Sequence, residues 1–176
     1  MDVSFFEDIK YLAMGNSRQQ SAYSCLTKNR IFDRLSEYSP RLAGTVPLGV
    51  DLPGSDLDVL CKCDDLENFG QWLQICFGNR RDFRVKHKVL ADTPSVIGRF
   101  ETPEFPIEIF AQNLCVQEQL AWKHMIAEYR ILKSRPQAFR AKIVRLKSMG
   151  DTTEEAFCRL LGLEGNPYEA LLDFRV

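Results

Sequence analysis

Apolar positions follow helical spacing at both ends of the chain and strand spacing in its middle. Ala22, Leu26, Ile31, Phe32 and Leu35 make an approximate helical stripe, which predicts a helix over 17–38 that Pro40 stops. From Leu42 the pattern changes to short runs separated by turn residues. Leu42-Ala43-Gly44-Thr45 reads as a short strand, 50–55 as a loop and 56–63 as a second strand. Helical spacing returns over 64–77 and ends near Gly78-Asn79. Three more strands are predicted at 83–90, 95–101 and 105–112. In the first of these, Phe83, Val85, His87 and Val89 share one face, with Arg84, Lys86 and Lys88 on the other.

The rest of the chain reads as helix. A long one is predicted over 116–134 and another over 136–149, where Phe139, Ile143, Leu146 and Met149 supply the stripe. Asp151-Thr152-Thr153-Glu154-Glu155 has the form of a capping box, starting a helix that runs to Leu161 and ends at Gly162. Asn166-Pro167 is an N-cap and first-turn pair for a last helix to Phe174. Strands flanked by helices imply an α/β (α+β) fold. The expected organisation is a core over 1–114, with N-terminal helices, and a helical part over 115–176 packed on it as one compact unit.

Composition narrows the class. The 176 residues include 19 aromatics (12 Phe, 5 Tyr and 2 Trp), enough for a sizeable core. The longest apolar run is the four residues from Tyr11 to Met14, so no membrane span is expected. Asp2, Glu7 and Asp8 give the N-terminus the wrong charge for a secretory signal. The six cysteines are irregularly spaced, which suits reduced thiols in a cytoplasm better than a disulfide framework. The net charge of −1 conceals a split: residues 81–150 hold 13 Lys and Arg against 7 Asp and Glu. Residues 123–147 carry eight basic side chains opposed only by Glu128. Such a surplus suits an anionic partner, phosphate first, or simply solvated helix faces.

The candidate chemistry lies on two strands. Asp56 and Asp58 are two apart, so both point to one face with Cα atoms roughly 6.6 Å apart, while Leu57, Val59, Cys61 and Cys63 point to the other. In Ile107-Glu108-Ile109, Glu108 projects opposite an apolar face shared by Ile107, Ile109 and Ala111. Asp-Leu-Asp alone fits solvated acids as well as metal ligands. Joined with Glu108 and the glycine turn at Gly44, it reads as an oxygen cluster for hard divalent cations.

These residues resemble the signature of the nucleotidyltransferase superfamily, the fold of DNA polymerase beta and the antibiotic nucleotidyltransferases. That signature is a glycine turn, about ten residues, acid-apolar-acid-apolar, and a later apolar-acid-apolar strand. Here they are Ala43-Gly44-Thr45, Asp56-Leu57-Asp58-Val59 and Ile107-Glu108-Ile109. Over nearly its whole length the chain is also similar to a family of uncharacterised bacterial proteins placed in that superfamily, grouped as a domain of unknown function. The resemblance implies a cytoplasmic enzyme that transfers a nucleoside monophosphate from a nucleoside triphosphate, such as ATP, to an acceptor the sequence does not name. It implies that Asp56, Asp58 and Glu108 hold two Mg²⁺ ions, with Mn²⁺ as the alternative, and that Glu108 deprotonates the attacking hydroxyl. Gly44, Thr45 and Ser55 would approach the triphosphate, with Arg99 beside it. Two features depart from the pattern. Thr45 stands where Gly or Ser is usual, and the loop over 46–55 lacks the Arg that often follows the turn, resembling GrpB-like proteins instead.

On the helix over 116–134, Gln117, His124 and Glu128 fall in one polar stripe inside an apolar surface, which suits a pocket wall or a self-satisfied His124–Glu128 pair. Gln119, Lys123 and Arg130 make a second stripe facing solvent or phosphate. His87 reads as a core histidine, and Cys61 and Cys63 as core thiols without finger spacing. Three functions follow: a Mg²⁺-dependent nucleotidyltransferase, a nucleotide-binding or regulatory module of the same fold without turnover, and, least supported, an RNA-binding domain using the basic helical segment.

Overall fold

In a computed structural model, which describes residues 2–175, the five strands form one mixed sheet. They are β1 (Arg41–Ala43), β2 (Leu57–Lys62), β3 (Arg81–Leu90), β4 (Thr93–Glu101) and β5 (Pro106–Gln112), ordered β1-β2-β5-β4-β3. The central pair β2–β5 is parallel and every other pair is antiparallel.

Helices cover both faces because both faces are apolar over part of their length. On one face Leu57, Val59, Cys61, Ile107, Ile109 and Ala111 are buried with Leu26 of α1 (Ser17–Lys28) and Phe69, Leu73 and Phe77 of α4 (Leu66–Phe77). On the other face Leu60 joins a second cluster with Trp122, Met125 and Ile131 of α5 (Leu120–Ser134), Ile143 of α6 (Gln137–Ser148) and Phe157 of α7 (Thr153–Leu161). Leu171 of α8 (Pro167–Asp173) closes that cluster. Only the far half of this second face is roofed. Asp58 and Glu108 stay partly open at the other end. Among the described residues no helix is long and apolar enough to cross a membrane.

Several boundaries differ from the pattern-based expectation. The helix expected over 17–38 breaks at Asn29–Arg30, where Arg30 takes φ 53°. It resumes as the short α2 (Ile31–Arg34) and a 3-10 turn over Ser36–Tyr38. An apolar stripe survives such a break because the residues on either side still face the same core. Thr45 does not extend β1 but opens the short helix α3 (Thr45–Leu48), which stands between the strand and the loop. The helix expected from 116 starts at Leu120, after a separate 3-10 turn over Val116–Glu118. The capped helices form as expected. Thr152 and Glu155 make a reciprocal capping box, and Asn166 caps α8 with Pro167 in its first turn. His87 is exposed rather than a core histidine, since β3 is an edge strand and the helices cover only part of it.

Candidate active site

Register alone brings the acids together. Asp58 pairs with Glu108 across the parallel β2–β5 ladder, and Glu108 pairs with Arg99 across β5–β4. Ala43 flanks Asp58 on β1, and Arg84 flanks Arg99 on β3. One row across all five strands therefore reads Ala43, Asp58, Glu108, Arg99, Arg84. Asp56, two residues before Asp58, lies just outside β2 on the same side. Arg99 links the cluster, with Nη2 2.9 Å from Asp56 Oδ2 and Nη1 3.4 Å from Glu108 Oε2.

Three carboxylates against one guanidinium leave an excess of negative charge. Burial, then the charges of Asp56 and Glu108, push the Asp58 carboxyl up to about 8 against the pull of Arg99. Burial likewise raises Glu108, opposed chiefly by Arg99. A compact set of oxygen donors this short of positive charge fits a hard divalent cation.

Gly44 is what lets the glycine turn close on these acids. Its φ of 81° and ψ of −158° lie where only glycine is comfortable. A Cβ there would come within 3.2 Å of Asp58 Cγ and closer still to Oδ2. The following segment is tied down from three sides. Gln19 Nε2 donates to the carbonyls of Val46 and Pro47, Lys147 Nζ donates to Val50 O at 2.9 Å, and Arg18 pairs with Asp51 at 3.1 Å.

In front of the turn lies a cavity of about 630 Å³, bounded by Gly44, Thr45 and Asp58 on the sheet side. His124 and Glu128 of α5, Glu154 of α7 and Tyr168 of α8 line its other wall. His124 stacks edge-on to Tyr168 at 5.6 Å, and its Nδ1 is buried without a hydrogen-bond partner. Burial lowers the His124 imidazole, while burial and the neighbouring Glu154 push Glu128 up to about 8. A separate basic groove borders Glu108 and Arg99, lined by Arg84, Lys86 and Lys88.

Register and ion pairs bring Asp56, Asp58, Glu108 and Arg99 together, and Gly44, Thr45, Asp58, His124 and Glu128 line the cavity, so Asp58 belongs to both groups. Three other residues depart from expectation. Gln117 does not join His124 and Glu128. It sits in the 3-10 turn ahead of α5, exposed, and lines a different cavity with Trp122 and Arg130. Gln119 is buried instead of facing solvent or phosphate, donating from Nε2 to Cys61 O at 2.8 Å. Ser55 turns its hydroxyl to its own loop, accepting from Leu52 N at 2.9 Å. Sequence reasoning did not single out Glu154 as a site residue. It reads as a first-turn acid of a capped helix, and no local pattern points across to α5.

The fold is similar to several solved structures, a poly(U) polymerase among them. The fold superposes on the Cid1 poly(U) polymerase with MgGTP bound at a TM-score of 0.55 and 15% identity, covering 79% of this chain and 46% of that one. It superposes on the same polymerase with Mg 3′-dATP bound at 0.56 and 15%, covering 93% and 52%. For the GLD-2/RNP-8 complex the values are 0.56 and 13%, with 87% and 61% covered. The fold is therefore nucleotidyltransferase-like, and the chain spans about half the length of the Cid1 structures it matches. Within that fold, residues 24–174 match the family model of a domain of unknown function, DUF4269, and the chain belongs to that family. No curated protein matches it.

Proposed function

We propose that this protein is a Mg²⁺-dependent nucleotidyltransferase, taking a nucleoside triphosphate into the 630 Å³ cavity and transferring its nucleoside monophosphate to an acceptor. The observation that carries the reading is the row of Asp58, Glu108 and Arg99 in register, with Asp56 beside it and Gly44 left bare for close approach. The cavity volume suits a nucleotide-sized ligand. Asp56, Asp58 and Glu108 would hold the metal, and the chemistry Mg²⁺ supplies when bound is neutralisation of charge on the triphosphate and its leaving group. Gly44 and Thr45 let the phosphates reach the backbone. Glu108, beside Asp58 across the β2–β5 ladder, takes the proton of the acceptor hydroxyl. The acceptor oxygen then bonds to the α-phosphorus, the bond to the bridging oxygen breaks, and pyrophosphate leaves. Arg99, half-exposed and paired with Asp56 and Glu108, would donate to phosphate oxygens beside those acids. The segment 115–176 supplies the cavity wall that selects the nucleotide, and the six free cysteines suit a reducing cytoplasm.

A second reading is a nucleotide-binding module without turnover. It is favoured by one feature: no Lys or Arg lines the cavity among the described residues. Calorimetry with ATP, GTP, CTP and UTP, each with Mg²⁺ and with EDTA, separates the two. The enzyme reading expects one nucleotide to bind only with metal and to be lost in Asp56→Asn/Asp58→Asn. Binding that survives EDTA supports the module, and no binding by the folded protein removes both.

A further inference from the structure

We propose that His124, Glu128 and Glu154 form a second metal site, separate from the Asp56, Asp58 and Glu108 acids and built for a borderline divalent ion such as Zn²⁺. One ligand atom from each of the three lies within 4.8 Å of the others. Zn²⁺ ligands at about 2.0–2.2 Å from the ion lie roughly 3.2–3.6 Å apart in a tetrahedron, so modest rotamer shifts complete the geometry. His124 and Glu128 stand one turn apart on α5 and project to the same side. Glu154 comes from the first turn of α7.

Two observations beyond proximity point to a cation here. His124 is 8% exposed, and its Nδ1 is buried with no hydrogen-bond partner, where buried imidazoles are ordinarily paired. Glu128 is 4% exposed and forms no ion pair or side-chain hydrogen bond among the described residues. Lys147, whose charge reaches Glu128, spends its ammonium on the Val50 carbonyl at 2.9 Å. One imidazole nitrogen with two carboxylates suits a borderline ion, whereas Mg²⁺ prefers oxygen alone. Three protein ligands leave coordination positions open, and these face the cavity, where an oxygen or nitrogen donor of its occupant can take them.

This site does not depend on the nucleotidyltransferase reading, and the test keeps them apart. Chelator-stripped Asp56→Asn/Asp58→Asn protein is titrated with Zn²⁺ by calorimetry, and with Co²⁺ by visible absorption. The result expected is one ion per chain, with affinity falling more than about tenfold in added His124→Ala. Glu154→Gln, at a half-buried position in a helix first turn, should fall similarly without opening the core, and circular dichroism checks the fold. No Zn²⁺ uptake by the folded protein, or uptake unchanged by both substitutions, overturns the proposal. Loss of nucleotide binding in the double Asp variant bears only on the other site.

Discussion

Gly44→Ala tests how closely the glycine turn and the acids are fitted. The substitution carries two costs. Its backbone has φ 81° and ψ −158°, a region that costs a residue with a Cβ about 1–3 kcal/mol. The new Cβ would also meet Asp58, 3.2 Å from Cγ and nearer still to Oδ2, so the carboxylate must rotate away. Coupling between groups in contact is commonly about 0.5–3 kcal/mol, and the flexible end of Asp58 puts it near the lower part, roughly 1 kcal/mol. The expected loss is therefore about 2–4 kcal/mol in otherwise native protein, but only the backbone cost in an Asp58→Ala background. Gly54, with φ 88° and nothing within 4 Å of a Cβ, is the control that has no neighbour to displace. Urea unfolding of the four proteins in the cycle measures the difference. A cost for Gly44→Ala that is the same in both backgrounds, within about 0.5 kcal/mol, refutes the contact. The same variant should lose Mg²⁺-dependent nucleotide binding although every acid remains.

Two further outcomes follow from the same packing. With metal chelated, Asp58 ionises near pH 8 when folded against an ordinary value of 3.8, so the folded protein holds a proton the unfolded chain gives up. That stabilisation is complete below about pH 4 and is lost as pH rises through 8. Thermal melts in EDTA at pH 5 and pH 8 should show Asp58→Asn with a smaller loss than wild type and a gain of about 2–4 kcal/mol at pH 8. Some slope remains, because Glu128 shifts in the same direction. An unchanged pH response in Asp58→Asn would show that carboxylate crowding is not felt. Gln119→Ala should cost about 1–3 kcal/mol, read by urea unfolding, because the buried carbonyl of Cys61 loses its 2.8 Å donor. A neutral effect would mean that water replaces the bond.

The shared face of Asp56 and Asp58 and the outward side of Glu108 were readable from the chain because strand periodicity is strict. A two-residue spacing puts two acids on one face, and Ile107 and Ile109 fix which way Glu108 points. The strands and the capped helices at Thr152 and Asn166 were readable for the same reason: alternation and capping are local. Helix continuity was harder to read. The break at Asn29–Arg30 leaves the apolar stripe intact, and the 3-10 turn over Val116–Glu118 rotates Gln117 out of register with His124.

The sequence by itself determined the element types, the face of each acid and the need for glycine at a turn, because those depend on neighbours within a few residues. Tertiary structure decided the rest. The order β1-β2-β5-β4-β3 sets Asp58 beside Glu108 and Glu108 beside Arg99, although about fifty residues separate the two acids in the chain. The edge position of β3 leaves His87 exposed, and the path of α7 brings Glu154 to His124 and Glu128. These are contacts between distant segments, fixed by which surfaces bury together, and no local pattern encodes them.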